Sequence, residues 1–202
     1  MKNFIKSFLK ESADISLNLD VERIGAMVKI IKNCKKKKGR IFFLGVGGSA
    51  GNASHAVNDF RKIIGIEAYA PTDNVSELTA RTNDEGWSEI FSQWLITSKL
   101  NSRDIIFIFS VGGGNIKKNI SVNLIKAINL GKKKKCKILS IVGKFDGYAA
   151  KNSTVSLVIP VKNRKLLTPF SETYQTLVWH LLVSHPELKE KETMWESIIE
   201  KK

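Results

Sequence analysis

Arg40-Ile41-Phe42-Phe43-Leu44-Gly45-Val46-Gly47-Gly48-Ser49-Ala50-Gly51-Asn52-Ala53-Ser54-His55-Ala56-Val57-Asn58-Asp59 decides how this chain is read. An apolar run of strand length, Ile41 to Leu44, breaks into glycines and then into a helix-compatible segment bearing His55 and Asp59. Glycine lets the backbone approach an anion closely. The first N–H groups of the helix that follows point outward unpaired, at the positive end of its dipole, so a phosphate is favoured there. Ser49 adds a hydroxyl donor. The same turn is also how any α/β unit reverses direction, so by itself the stretch specifies strand, loop and helix rather than a ligand.

The pattern recurs. Asp104 is followed by Ile105-Ile106-Phe107-Ile108-Phe109, a strand apolar on both faces, and then by Ser110-Val111-Gly112-Gly113-Gly114-Asn115. A helical pattern is expected next through Ile116, Ile120, Leu124, Ile125, Ala127 and Ile128. Further strands are expected at Ile66–Ala70, Lys137–Val142 and Thr154–Ile159, with Gly143-Lys144-Phe145-Asp146-Gly147 between the last two. Strands alternating with helices define an α/β fold with a doubly wound, five-stranded parallel sheet, whose ligands lie beyond the carboxyl ends of the strands. Both glycine loops belong to that edge.

From Thr168-Pro169-Phe170 a long helix is expected, with Glu172, Thr176 and His180 four residues apart and Leu177, Val178, Leu181, Leu182 and Val183 on its apolar side. His55 and Asp59 have the same spacing. Two helices thus each offer a carboxylate and a histidine to the strand-end crevice.

The 202 residues suit one α/β domain with appended helices, and 43% hydrophobic content supplies a substantial core. No apolar run approaches the roughly 20 residues that cross a bilayer, and the N-terminus has no signal-peptide core, so a cytoplasmic protein with no membrane partner is expected. Cys34 and Cys136 have no pairing, metal or redox spacing and read as free thiols. A net charge of +14 raises nucleic-acid binding. Yet Lys35–Lys38 and Lys132–Lys135 fall where helices end before strands, there is no interleaved aromatic platform, and solvated helix ends explain the charge, so no nucleic-acid partner is expected.

Residues 1–38 carry two amphipathic patterns, Phe4/Ile5/Phe8/Leu9 and Val21/Ile24/Met27/Val28/Ile30/Ile31. They are expected to form helices that pack on the domain or on another subunit. Asn74–Asp84 reads as a loop entering a short helix. Gly86–Leu100 reads as a helix whose Trp87, Ile90, Phe91, Trp94 and Leu95 serve core or subunit contact. The expected divisions are 1–38 for oligomerising helices, 39–186 for the ligand-binding domain and 187–202 for a helical tail containing Trp195.

Taken together, Gly47-Gly48-Ser49-Ala50, His55-Ala56, Leu78-Thr79-Ala80, Asn83-Asp84-Glu85-Gly86, the Ser110 loop, Val142-Gly143-Lys144-Phe145-Asp146-Gly147 and His180 make the chain resemble sugar isomerase (SIS) domains, in particular phosphoheptose isomerases. The resemblance implies a phosphosugar substrate, ketose–aldose exchange within heptose biosynthesis of the lipopolysaccharide type, and a homo-oligomer, a tetramer. It implies that Asp59 and His180 are catalytic. It places substrate and phosphate on Gly47, Gly48, Ser49, Asn83, Asp84, Ser110, Gly112, Gly113, Asn115 and Glu172. Zinc, in members that bind it, maps onto His55, Asp59, Glu172 and His180; no nucleotide cofactor is implied.

The chain departs from the pattern at three places. Val46 stands for an asparagine, Val111-Gly112-Gly113-Gly114-Asn115 for a hydroxyl-rich Thr-Ser-Gly-Asn-Ser, and Phe170-Ser171-Glu172 for Arg-Ile-Gln. Lys117, Lys118 or Arg61 offer replacement charge. The alternative expectation is a non-catalytic SIS module that binds a phosphosugar and regulates a partner.

Overall fold

The computed structural model describes residues 2–191. The tail around Trp195 lies outside the described residues. Five parallel strands, β1 (Ile41–Leu44), β2 (Ala68–Tyr69), β3 (Ile105–Ser110), β4 (Lys137–Val142) and β5 (Val155–Val158), are ordered β2-β1-β3-β4-β5. Ile41 pairs with Ile105 and Leu44 with Ile108, while Ile105 to Ser110 pair with Lys137 to Val142.

Because side chains alternate across a strand, one apolar run fills two cores. Ile41, Phe43, Ile105, Phe107 and Phe109 face one layer, with α2 (Val21–Lys36), α3 (Gly48–Asp59) and α8 (Leu167–Ser184). Phe42, Leu44, Ile106 and Ile108 face the other, with α5 (Ile90–Thr97), α6 (Val122–Lys133) and α7 (Tyr148–Asn152). Phe43 stacks on Phe107 at 5.2 Å and meets Phe60 edge-on at 4.9 Å. Each such ring contributes about 1.5–3 kcal/mol through burial.

At the amino end of the sheet, the 2% exposed Asp104 carboxylate accepts from Arg40 Nη2 at 2.9 Å, from Arg40 N at 3.0 Å and from Asn101 N at 3.0 Å. This hydrogen-bonded pairing raises the Arg40 pKa. Asp20 caps α2 by accepting from Arg23 N, and Asn74 caps α4 (Val75–Asp84) by accepting from Glu77 N.

The α1 helix (Lys2–Leu17) lays Phe8 on Phe170, ring centroids 4.5 Å apart, and Ser12 and Ser16 bond the Tyr174 hydroxyl. Phe4, Ile5 and Leu9 stay exposed. Met27, Val28 and Ile31 of α2 share the core of the strands. The lysine runs lie in the last turns of α2 and α6 and the residues just after them, where cations suit the helix dipole.

Four expectations are corrected. The helix after the second glycine loop begins at Val122, not near Ile116, because Asn119 and Ser121 adopt positive φ and Asn115 and Ile120 exchange main-chain hydrogen bonds. That leaves Ile116 and Ile120 exposed. Leu177 and Leu181 lie on the outer side of α8, whose buried face is Phe170, Ser171, Tyr174, Gln175, Val178, Trp179, Leu182 and Val183. The Trp87 helix is shorter, starting at Ile90, with Trp87 exposed. The second strand narrows to Ala68–Tyr69.

Candidate active site

The strand order makes β1 the turning point of the winding. The chain leaving β1 enters α3 on one face, and the chain leaving its neighbour β3 runs to α6 on the other. The crevice between the two departures is where doubly wound sheets hold ligands. Both glycine loops lie there.

In the first loop the backbone has no room to spare. A Cβ on Gly45 would fall 2.3 Å from the Ser49 carbonyl oxygen, and Gly47 takes φ 64° as the cap of α3. At Gly48 the neighbour comes from α8, where a Cβ would meet the Glu172 carboxylate at 2.6 Å. The Glu172 carboxylate therefore lies at the amino end of α3, where the dipole and free N–H groups favour negative charge. Ser49 is buried in that first turn.

At the other end of α3, Asp59 is the last residue before a π turn, Phe60–Ile64, closed by left-handed Gly65. The wide turn lets the helix end against the core, and Asp59, 7% exposed, lies about 16 Å of helix from the glycine loop where α3 begins. Asp59 Oδ2 lies 3.9 Å from His55 Nε2 and 3.7 Å from His180 Nε2. One ligand atom from each of the three residues falls within 4.8 Å of the others. The imidazoles cross at 90° with centroids 5.6 Å apart, and buried Trp179 packs against both.

The main chain sets the orientation of His180. Its Nδ1 is 3.0 Å from the Thr176 carbonyl, which can only accept, so Nδ1 carries a proton and Nε2 is turned toward Asp59. Asn52, one turn before His55, ties the helices together. Its Nδ2 donates to the Glu172 carbonyl and to Gln175 Oε1, both at 2.9 Å, and its Oδ1 accepts from Thr176 Oγ1 at 3.0 Å.

Of the four residues onto which zinc maps, His55, Asp59 and His180 converge and Glu172 stands apart, against Gly48. Two imidazole nitrogens and a carboxylate oxygen suit a divalent ion such as zinc with a position left open, and the Nδ1 bond to Thr176 is the outer support that metal-binding histidines use. Neither imidazole is within hydrogen-bonding distance of Asp59, so all three donor atoms face a shared gap. The donor set fits the ion.

Ser110 ends β3, and its Oγ accepts from Gly113 N at 3.0 Å, bracing the second loop through the left-handed turns at Gly113 and Gly114. Gly112 and Asn115 line a small cleft on this loop. Asn83 and Asp84 lie exposed at the end of α4, hydrogen-bonded to each other and, among the described residues, without a bond to the histidine cluster or to either loop. Arg61 is occupied with the Ala68 carbonyl and the Tyr69 ring. The sequence reading missed Asn52 and Trp179. Asn52 lies one turn from His55, but its partners 120 or more positions away leave no local trace.

The doubly wound sheet with paired strand-end glycine loops defines an α/β domain that takes its ligand at the carboxyl ends of its strands. Residues 7–143 match the SIS domain family, and the chain belongs to it. The chain is 28% identical over 198 residues to the phosphoheptose isomerase of Syntrophotalea carbinolica, 93% of each chain. It is also 28% identical over 193 residues to the lincomycin biosynthesis protein LmbN of Streptomyces lincolnensis, 90% of this chain and 68% of that one. In fold it is similar to the phosphoheptose isomerase GmhA of Neisseria gonorrhoeae, with TM-score 0.75 and 22% identity over 90% of this chain and 96% of that one. Among the described residues no helix is long and apolar enough to cross a membrane.

Proposed function

We propose that the chain is an aldose–ketose isomerase that interconverts sedoheptulose 7-phosphate and D-glycero-D-manno-heptose 7-phosphate through an enediol. The observation that carries this reading is the carboxylate of Asp59 facing His180 Nε2 across 3.7 Å, with His55 beside them. The exchange moves one proton between C1 and C2 and another between their oxygens. Asp59 suits the first task, taking the proton from one carbon and returning it to the other. His180 Nε2 suits the second, accepting the hydroxyl proton and delivering it to the former carbonyl oxygen. Trp179 keeps water from the inner side of both imidazoles, and the glycine loops receive the phosphate end. Zinc, were it held by His55, Asp59 and His180, would occupy His180 Nε2 and would itself polarise the carbonyl and take up enediolate charge in place of that proton transfer. The same reading includes a cytoplasmic homotetramer joined partly through the exposed Phe4, Ile5 and Leu9 edge of α1.

A second reading, phosphosugar sensing without turnover, draws on the loss of hydroxyls at Val111 to Gly114. One experiment separates the two: incubation with sedoheptulose 7-phosphate in deuterium oxide. Appearance of the aldose with carbon-bound deuterium at C1 or C2 supports the isomerase; binding with no deuterium incorporation and no aldose overturns it in favour of the sensor.

A further inference from the structure

The two helices that carry the cluster run side by side in the same direction. Gly48 of α3 meets Glu172 of α8, Asn52 bonds the Glu172 carbonyl and Gln175, and His55 and Asp59 meet His180. The pairing continues past the end of α8. Pro186 disfavours helical backbone at His185, which is extended at φ −66° and ψ 130°, so the helix stops and residues 185–191 fold back onto the end of α3. Leu188 N and Lys189 N both donate to the His185 carbonyl at 2.9 Å, closing the reversal. The Leu188 side chain, 2% exposed, enters the core shared by α2, α3 and α8.

This strap lands on the π turn that follows Asp59. A helix leaves its last carbonyls without intrahelical donors, and here the chain beyond α8 supplies them. The Ile63 carbonyl accepts from Glu190 N at 3.1 Å and from Lys191 N at 3.2 Å. The Ile64 carbonyl accepts from Lys35 Nζ of α2, and the Glu190 carboxylate pairs with the same ammonium. A Cβ on Gly65 would fall 3.1 Å from Glu190 Oε2, so the strap lies directly over the left-handed residue that closes the turn. Asn52 ties α3 to α8 one turn before His55, and the strap ties them again one turn after Asp59.

We propose that residues 185–191, through Leu188 and Glu190, are a positioning strap for Asp59. By holding the Ile63 carbonyl directly and the Ile64 carbonyl through Lys35, the strap fixes the π turn and with it the 3.7 Å separation of Asp59 Oδ2 from His180 Nε2. Its consequence for turnover rests on the isomerase reading; its consequences for the turn and for zinc do not.

The test uses the full chain, with hydrogen exchange read by mass spectrometry alongside the isomerase assay and chelator competition for zinc. Leu188→Ala is expected to speed exchange across 59–66 at least about fivefold, a local opening rather than one of the whole domain. It should lower kcat about tenfold with KM within about twofold, and weaken zinc about tenfold as loss of outer support does. Lys35→Met with Glu190→Gln, which leaves the buried leucine in place, should move all three the same way, and carries the comparison if Leu188→Ala does not fold. Leu188→Met should restore them. Cys136→Ala, which removes a buried side-chain atom at the amino edge of the sheet, should leave them unchanged. Three results overturn the strap: unaltered exchange at 59–66, faster exchange with kcat and zinc affinity within about twofold of the parent, or equal effects in Cys136→Ala. A parent that binds zinc but turns over no sugar ends the isomerase reading alone, and zinc affinity then decides for or against the strap. A parent with neither turnover nor zinc overturns both.

Discussion

His180 Nε2 faces Asp59 Oδ2 across 3.7 Å, too far for a hydrogen bond, while its Nδ1 is anchored 3.0 Å from the Thr176 carbonyl. A carboxylate and an imidazole lone pair held face to face repel unless a proton, a cation or a substrate hydroxyl lies between them. Asp59→Asn keeps the shape and removes the base, so turnover is expected to fall about 10²–10⁴-fold, the usual contribution of a positioned acid or base. The far-ultraviolet spectrum and the unfolding midpoint should stay near those of the parent. Turnover unchanged in both Asp59→Asn and His180→Ala would remove these residues from the chemistry.

Zinc affinity offers a readout independent of turnover. His55, Asp59 and His180 supply three donors, whereas the Glu172 carboxylate lies against Gly48. Competition with a chromogenic chelator should show His55→Ala and His180→Ala each weakening zinc by at least tenfold, about 1.4 kcal/mol. Glu172→Gln should change it much less. Equal losses at all four positions would mean that Glu172 swings into the cluster when the ion binds.

Asn52 joins α3 to α8 through three hydrogen bonds, to the Glu172 carbonyl, Gln175 Oε1 and Thr176 Oγ1. Gln175 is fully buried, and its Nε2 already lacks a partner. Asn52→Ala should therefore cost about 1–3 kcal/mol in urea unfolding, because it strands buried polar atoms rather than merely deleting contacts. It should also lower zinc affinity about 10–100-fold, as loss of outer support does. Loss of stability with zinc affinity intact would limit Asn52 to holding the fold.

The parts of the chain legible in sequence are those where local pattern and tertiary environment agree. Ile41–Leu44 and Ile105–Phe109 are apolar at every position because both faces of the sheet are covered, and the glycines after them mark tight turns whatever the ligand. The helical spacing of Ile116, Ile120 and Leu124 misleads because left-handed φ at Asn119 and Ser121 is invisible in the pattern. His55, Asp59 and His180 were legible from spacing and family resemblance. Asn52 was not, since its partners are supplied by a segment remote in the chain. Glu172 was legible as a polar residue on the right helix but not in its direction, which the approach to glycine 48 decides.

Two neighbouring glycines should respond differently to alanine. At Gly45 the added Cβ meets the Ser49 backbone oxygen at 2.3 Å, and neither the strand end nor the first helical turn can yield. Gly45→Ala should cost about 1–3 kcal/mol or more, as overpacking does. At Gly48 the Cβ meets the far end of the Glu172 side chain at 2.6 Å, which can rotate away. Gly48→Ala should thus leave stability within about 1 kcal/mol of the parent. Equal destabilisation would mean that the Glu172 carboxylate is fixed against the loop.

The two thiols lend the fold a pH dependence on the alkaline side. Cys34 donates to the carbonyls of Arg103 and Arg40, and Cys136 to that of Asn101, so both sulfurs sit on the backbone at the amino edge of the sheet. Burial, reinforced by the nearby Asp104 carboxylate, pushes each from an ordinary value of 9.0 up to about 12. A group whose pKa is raised on folding stabilises the protein fully below its unfolded value. The contribution drains away as pH climbs from 9.0 toward about 12, because the unfolded chain sheds protons that the folded chain keeps. Urea unfolding of the parent should therefore lose stability more steeply above pH 9 than that of Cys34→Ala with Cys136→Ala, in which lysine and tyrosine titration is retained and cancels in the comparison. Iodoacetamide at pH 8 should modify the thiols slowly in the folded protein and rapidly in urea. Identical slopes above pH 9 together with rapid labelling of the folded protein would show both sulfurs to be solvated.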